Sequence, residues 1–269
     1  MTINAARVPV LSPAHSQSMS LVMSKQATIT ELAAVIEPDP AITMVLLRFA
    51  NSATDAPVQR IVRASDAIVR LGLDETQRII LGIVMQQATG HSLKGSGLDE
   101  DELWRHLMGT ALLADAIAAT DEALRDLRPY AFSAGLLHDV GRLALATASP
   151  PHYQRVRRRV ATGVSASDAE RAEFQTDHEE LGSEVASVWG LPPELIPAIG
   201  AHHEAGPGIG GLIARARALT TRLGIGDGLI AASEPSLVES DPDAIAVMHV
   251  GGPDQVNARI DWFRGGLSH

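Results

Sequence analysis

Residues 135–146 read GLLHDVGRLALA, an apolar, helix-like run broken by His138 and Asp139 standing side by side and by Arg142. Imidazole and carboxylate both bind metals. A core histidine also persists without a metal when its two ring nitrogens find hydrogen-bond partners. The stretch therefore poses a choice between a metal centre and a polar pair satisfied inside a helical core.

The surrounding composition supports a helical core. Ala, Leu, Val and Ile dominate the 269 residues and aromatics make up only 3%, which suggests closely packed helices rather than a β-sandwich. The length suits one large domain or two smaller ones. A formal net charge of −10 argues against general nucleic-acid binding, because a phosphate-binding surface needs an excess of cations. Cysteine is absent, which excludes disulfides, thiol catalysis and thiolate metal sites and fits a reducing compartment. Residues 1–20 lack the basic start and apolar run of a signal peptide. No apolar stretch approaches the roughly 20 residues of a membrane span. A cytoplasmic protein without membrane contact is expected.

Helical period recurs along almost the whole chain, and strand alternation is nearly absent. Thr28 and Glu31 have capping-box spacing ahead of ELAAVIE. Asp39 is placed to cap a helix with Pro40 in its first turn. Further helices are expected from residue 41 to about residue 51 and in residues 65–72 and 74–89, the last with acidic residues at its positive end. The Gly/Ser-rich GHSLKGSG, residues 90–97, marks a boundary. Helical segments resume at 101–120, 128–148, 151–163, 165–190, 192–204 and 212–224, with AGPGIGG read as a flexible turn before the last. The expected architecture is all-α: an N-terminal helical bundle (1–97), a helical core (98–225) and a C-terminal extension (226–269).

The potential ligands of the second half fall in the order Glu102, His106, His138, Asp139, His178, His202, His203. Glu102 and His106 are four apart and share one helix face. Adjacent helical residues diverge by about 100°, so neither His138-Asp139 nor His202-His203 simply chelates one ion from a helix. Such doublets suit a two-metal pocket walled by several helices. Imidazole with carboxylate favours Fe, Mn, Zn or Ni over Ca, and two such ions can activate a water against a phosphoester.

This ordered set resembles the HDOD domain, the HD-related output domain of bacterial signalling proteins. The resemblance extends to TITELAAVIEPDPAITMVLLRFANSA, IVRASDAIVRLGLDETQRIILGIVM, LWRHLMGTALLADAIA, AFSAGLLHDVGRLALA and DHEELGSEVASVWGLPPELIPAIGAHHE, within about residues 8–223. It implies a small N-terminal helical bundle packed on an HD-like helical core. HD-superfamily phosphohydrolases take metal through an ordered His, His-Asp and closing Asp. Their HD-GYP relatives add a Glu four before the first His and further histidines. Carried over, Glu102 and His106 match the first pair, His138-Asp139 the doublet, and His178, His202 and His203 the later histidines.

Three positions depart from that pattern. Arg217 stands where the closing Asp is expected, and residues 212–224 contain no Asp or Glu. Such an arginine would repel a metal, pair with Asp139, or point to solvent. Arg142 replaces a lysine common after the doublet, keeping the charge but not the geometry. No Gly-Tyr-Pro comes after HHE. The leading expectation is a non-catalytic regulatory protein that requires no cofactor and acts on a signalling partner, with a degenerate pocket still able to take Fe, Mn or Zn. The alternatives are a metal-dependent phosphohydrolase acting on a nucleotide or phosphoester, and a nucleotide or metal sensor without turnover. Elsewhere, RVRRR (155–159) reads as a solvated helix face offset by the acidic segment after it. Trp104, Trp189, Met19, Met23 and Met44 read as core.

Overall fold

The computed structural model of the protein describes residues 19, 21–23, 27–52, 60–89, 93–231 and 233–267. The start of the chain to residue 18, where a signal peptide would lie, and residues 90–92 of the Gly/Ser-rich connection are outside the described residues. The described residues form helices and turns with no strand, so the chain is all-α. They divide into two compact units, the smaller one running to residue 88 and including residues 261–267, the larger one spanning residues 89–260.

The smaller unit holds α1 (Ile29–Ile36), α2 (Pro40–Ser52), α3 (Ala64–Leu71) and most of α4 (Leu73–Thr89). Local chemistry sets their ends. Thr28 and Glu31 close the expected capping box on α1, and Asp39 accepts from the backbone N–H groups of Ala41 and Ile42 at the start of α2. Apolar positions at helical spacing, among them Leu32, Ile36, Ile42, Leu46, Phe49 and Ile68, are buried. Phe49 meets Trp262 edge-on at 4.4 Å between ring centroids. Asn51 bonds both the N–H and the carbonyl of Ile61, fixing Ile61 against the end of α2. Met19 is buried as expected, but Met44 is 57% exposed because it lies on the solvent side of α2.

In the larger unit, α5 (Glu100–Thr120) is capped by Asp99, whose carboxylate accepts from two first-turn N–H groups. A 3₁₀ turn (Glu122–Leu127) leads to α6 (Arg128–Leu137), then α7 (Val140–Ala148), α8 (Pro150–Val160), α9 (Ala166–Phe174) and α10 (His178–Val188). Next come α11 (Ile196–Gly200), α12 (Gly208–Arg222), α13 (Ala244–Val250) and α14 (Pro253–Leu267), whose final residues count with the smaller unit. From Leu107 to Ala114 every residue of α5 is buried, the pattern of a central helix. It packs against α6, α12 and α13.

Two glycines permit the approach that builds the site. A Cβ on Gly135 would sit on the backbone of Ala111 in α5, and one on Gly141 would sit on the carbonyl of His178 in α10. Several expectations change. Helix α12 starts at Gly208 rather than beyond AGPGIGG, since Gly210 and Gly211 lie against the backbone of Ala201 and Gly206 where any side chain would collide. Residues 226–260 fall in the larger unit and residues 261–267 in the smaller. Trp104 and Trp189 are half-buried rather than core. In RVRRR, Arg155 and Arg159 both pair with Glu173, so the run is offset by α9 as expected. No helix among the described residues is long and apolar enough to cross a membrane.

Candidate metal centre

His106 projects from the buried middle of α5. His138 ends α6 and keeps helical angles, whereas Asp139, with φ −98° and ψ 20°, leaves the helix before α7 begins. That break overrides the 100° divergence of a continuous helix, and His138 Nε2 comes within 3.5 Å of Asp139 Oδ2. His178 is the first residue of α10. His202 and His203 come after α11 in a bend, which lets both rings face His178, with centroids 5.2 and 5.0 Å away.

Six of the seven candidate ligands therefore converge in two sets. Ligand atoms of His106, His138 and Asp139 lie within 4.8 Å of one another, as do those of His178, His202 and His203. Asp139 Oδ1 joins the sets, 3.3 Å from His202 Nε2 and 3.6 Å from His178 Nε2. Glu102 belongs to neither set. His106, His138, Asp139, His178 and His202 are each 0–1% exposed, and only His203 reaches the surface.

The hydrogen bonds orient the rings. His138 donates from Nδ1 to the Gly135 carbonyl at 2.7 Å, and His202 from Nδ1 to the Ile199 carbonyl at 2.9 Å. Backbone carbonyls only accept, so both rings turn Nε2 lone pairs into the pocket. Neither Nε2, neither nitrogen of His106 and neither oxygen of Asp139 makes an aligned hydrogen bond. Burial pushes the His106 imidazole down to about 3, with His138 adding to the effect, and lowers His138 and His202 as well. Lone pairs thus face lone pairs in a buried pocket. Imidazole nitrogens around a buried carboxylate fit a divalent Fe, Mn or Zn ion.

Arg142 supplies a resident positive charge. It is fully buried, with Nη1 2.9 Å from Asp139 Oδ2 and 3.1 Å from Asp227 Oδ2. Burial alone would raise the Asp139 carboxyl, but Arg142 and then His138 hold it well below the usual carboxylate range. Asp227 is lowered against its own burial by the same guanidinium. A second carboxylate does approach the pocket, from the loop after α12 rather than from the helix. The sequence offered no signal for it beyond an Asp in GIGDG.

Arg217 neither bonds Asp139 nor points to solvent, but lies against the pocket histidines. It donates to His203 Nδ1 at 2.9 Å and to the His202 carbonyl at 3.3 Å. On the opposite side, Glu170 accepts from the Tyr153 hydroxyl at 3.0 Å, the His178 backbone N–H at 3.0 Å and His178 Nδ1 at 2.5 Å. Neither Glu170 nor Tyr153 carries a sequence signal, because their contacts cross from α8 to α9 and α10 without any period.

The HDOD domain family model matches residues 8–205. The chain belongs to the HDOD domain family. This HDOD chain is similar to an "Uncharacterized protein" of Treponema pallidum (strain Nichols), with 23% identity over 73% of the chain, and it spans 37% of that relative's length. Among solved structures it is similar to a "Putative phosphohydrolase" from Shewanella amazonensis SB2B, at 19% identity and TM-score 0.72, covering 98% of this chain and 93% of that one. A "Putative signal transduction protein" from Marinobacter aquaeolei VT8 is similar at 26% identity and TM-score 0.72, covering 97% and 60%. The first of these structures shares the fold alone. The family match ends before Arg217 and Asp227.

Proposed function

We propose that this HDOD chain is a non-catalytic signal-transduction module that acts through protein contacts, and that its histidine pocket is a buried cation-binding element of the core. The observation that carries this reading is burial: the Asp139 carboxylate and the imidazoles of His106, His138, His178 and His202 are closed to solvent. Hydrolysis needs a phosphoester and an attacking water beside the same ligands, and metal catalysis keeps a coordination position open for them. Here the space beside Asp139 is filled by Arg142 and imidazoles. The likeness to the Marinobacter protein described in signal-transduction terms supports the same direction.

His106, His138 and Asp139 would hold a divalent ion, with His202 beside them. Such an ion would neutralise Asp139 and tie α5 to the junction of α6 and α7. This HDOD chain's own residues do the rest. Arg142 balances the two carboxylates, and Gly135 and Gly141 let the helices close.

The test is a turnover screen of protein loaded with Mn, Fe or Zn against bis-p-nitrophenyl phosphate and common nucleotides. A His138→Ala, Asp139→Ala double variant runs in parallel. No turnover above the variant is expected. Metal-dependent hydrolysis lost in the variant overturns the proposal, and nucleotide binding without turnover replaces it with a ligand-sensor function.

A further inference from the structure

The two ligand sets are not equivalent, and the direction of the hydrogen bonds separates them. Arg217 has no acceptor, so at 2.9 Å from His203 Nδ1 it must donate. His203 therefore carries its proton on Nε2. That Nε2 lies 2.8 Å from His178 Nε2, and donates to it. His178 in turn has its proton on Nδ1, where Glu170 Oε2 accepts at 2.5 Å. The chain of bonds from Arg217 through His203 and His178 to Glu170 is consistent from both ends.

In this arrangement the second set has lost two of its three lone pairs. His203 presents an N–H where a ligand is needed, and the His178 lone pair is taken by it. For His203 to ligate through Nε2, its proton would have to move to Nδ1 and face the Arg217 N–H, donor against donor. The first set has no such obstacle. His106 and His138 Nε2 are unpartnered and buried.

We propose that Arg217 limits this pocket to a single metal ion by holding His203 in the wrong tautomer for ligation. The ion sits in the His106, His138 and Asp139 set, and the His178, His202 and His203 set stays closed while the arginine is present. Arg217 is thus a specificity-determining residue that sets metal count without touching the ion. The inference rests on the pocket's reading as a cation-binding element, and it adds which of the two sets binds and why. Glu170, bonded to His178 Nδ1, is the outer partner that would orient His178 as a ligand once Arg217 is gone.

The experiment is equilibrium dialysis of the full chain against Mn²⁺, then elemental analysis, on wild type and on Arg217→Met, Arg217→Lys and His203→Ala. The expected counts are one ion per chain in wild type, two in Arg217→Met, and one in Arg217→Lys, which keeps a donor. His203→Ala alters an exposed ring and should fold. Its count should stay at one, whether or not Arg217→Met is soluble. A wild-type count of two that falls to one in His203→Ala overturns the proposal, as does an unchanged count in folded Arg217→Met. A wild-type count of zero overturns it together with the cation-binding reading. Hydrolysis measured on the same samples addresses catalysis separately, since turnover in a one-ion wild type refutes the non-catalytic reading and leaves the role of Arg217 standing.

Discussion

Replacing Arg142 with methionine tests the pocket at its largest fully buried side chain. The thioether traces much of the arginine stem, so packing loss is small, and the change isolates the charge. Without the guanidinium, Asp139 and Asp227 face each other across a pocket in which Asp139 is fully buried and Asp227 is 15% exposed. Removing one partner of a buried ion pair costs about 3–5 kcal/mol. For a domain of 150–250 residues each kcal/mol moves Tm by about 2–4 °C, so the variant should melt about 6–20 °C below wild type. Adding Asp139→Asn and Asp227→Asn removes the stranded charges and should restore most of that loss. Mn²⁺ should raise the Tm of Arg142→Met more than that of wild type, because the freed carboxylates gain an affinity that wild type spends on the guanidinium. At a concentration of 100 Kd the gain is about 2.7 kcal/mol. Differential scanning calorimetry with and without Mn²⁺ reads both effects. A shift under about 3 °C, or a triple variant no more stable than the single, refutes the picture of Arg142 as the counter-ion of both carboxylates.

Gly141→Ala should lower stability by about 1–3 kcal/mol or more, because the added methyl falls on the His178 carbonyl and lies 2.7 Å from the Gly182 nitrogen; chemical denaturation measures it. Tyr153→Phe removes the buried hydroxyl donor to Glu170 and should cost about 1.5–3 kcal/mol at neutral pH. Burial, then Glu170, raises the Tyr153 phenol well above its ordinary value. Its stabilising share is complete below the unfolded-state pKa of about 10 and is lost as pH rises beyond it; an alkaline melt series should show this loss in wild type and less of it in Tyr153→Phe. The double change Arg155→Ala, Arg159→Ala removes solvated partners of Glu173 and should shift stability by at most about 1 kcal/mol per pair.

How much the residues disclosed on their own depends on the range of the interactions. Caps at Thr28 and Asp39 are decided within four residues, and the structure has them as written. The ordered histidines and the aspartate also converge: His106 and His178 are helical residues, while His138, Asp139, His202 and His203 stand at or just after helix ends. Asp227 lies 85 positions beyond its partner Arg142, on a loop with no period at all. Glu170 reaches His178 across a helix end, and the direction of Arg217 depends on where a bend places His203. Ring tautomers are settled by such partners alone, so ligand types were legible and ligand competence was not.

The family match stops at residue 205, yet the arginine that fixes the His203 tautomer and the aspartate that shares Arg142 both come from beyond it. The recognised segment therefore carries the candidate ligands together with Arg142 and Glu170, while Arg217 and Asp227 come from a helix and loop beyond it. On the proposed role of Arg217, two chains alike throughout the recognised segment would differ in how many ions they hold. Sorting such chains by metal content requires inspection of the helix and loop that lie beyond the double histidine.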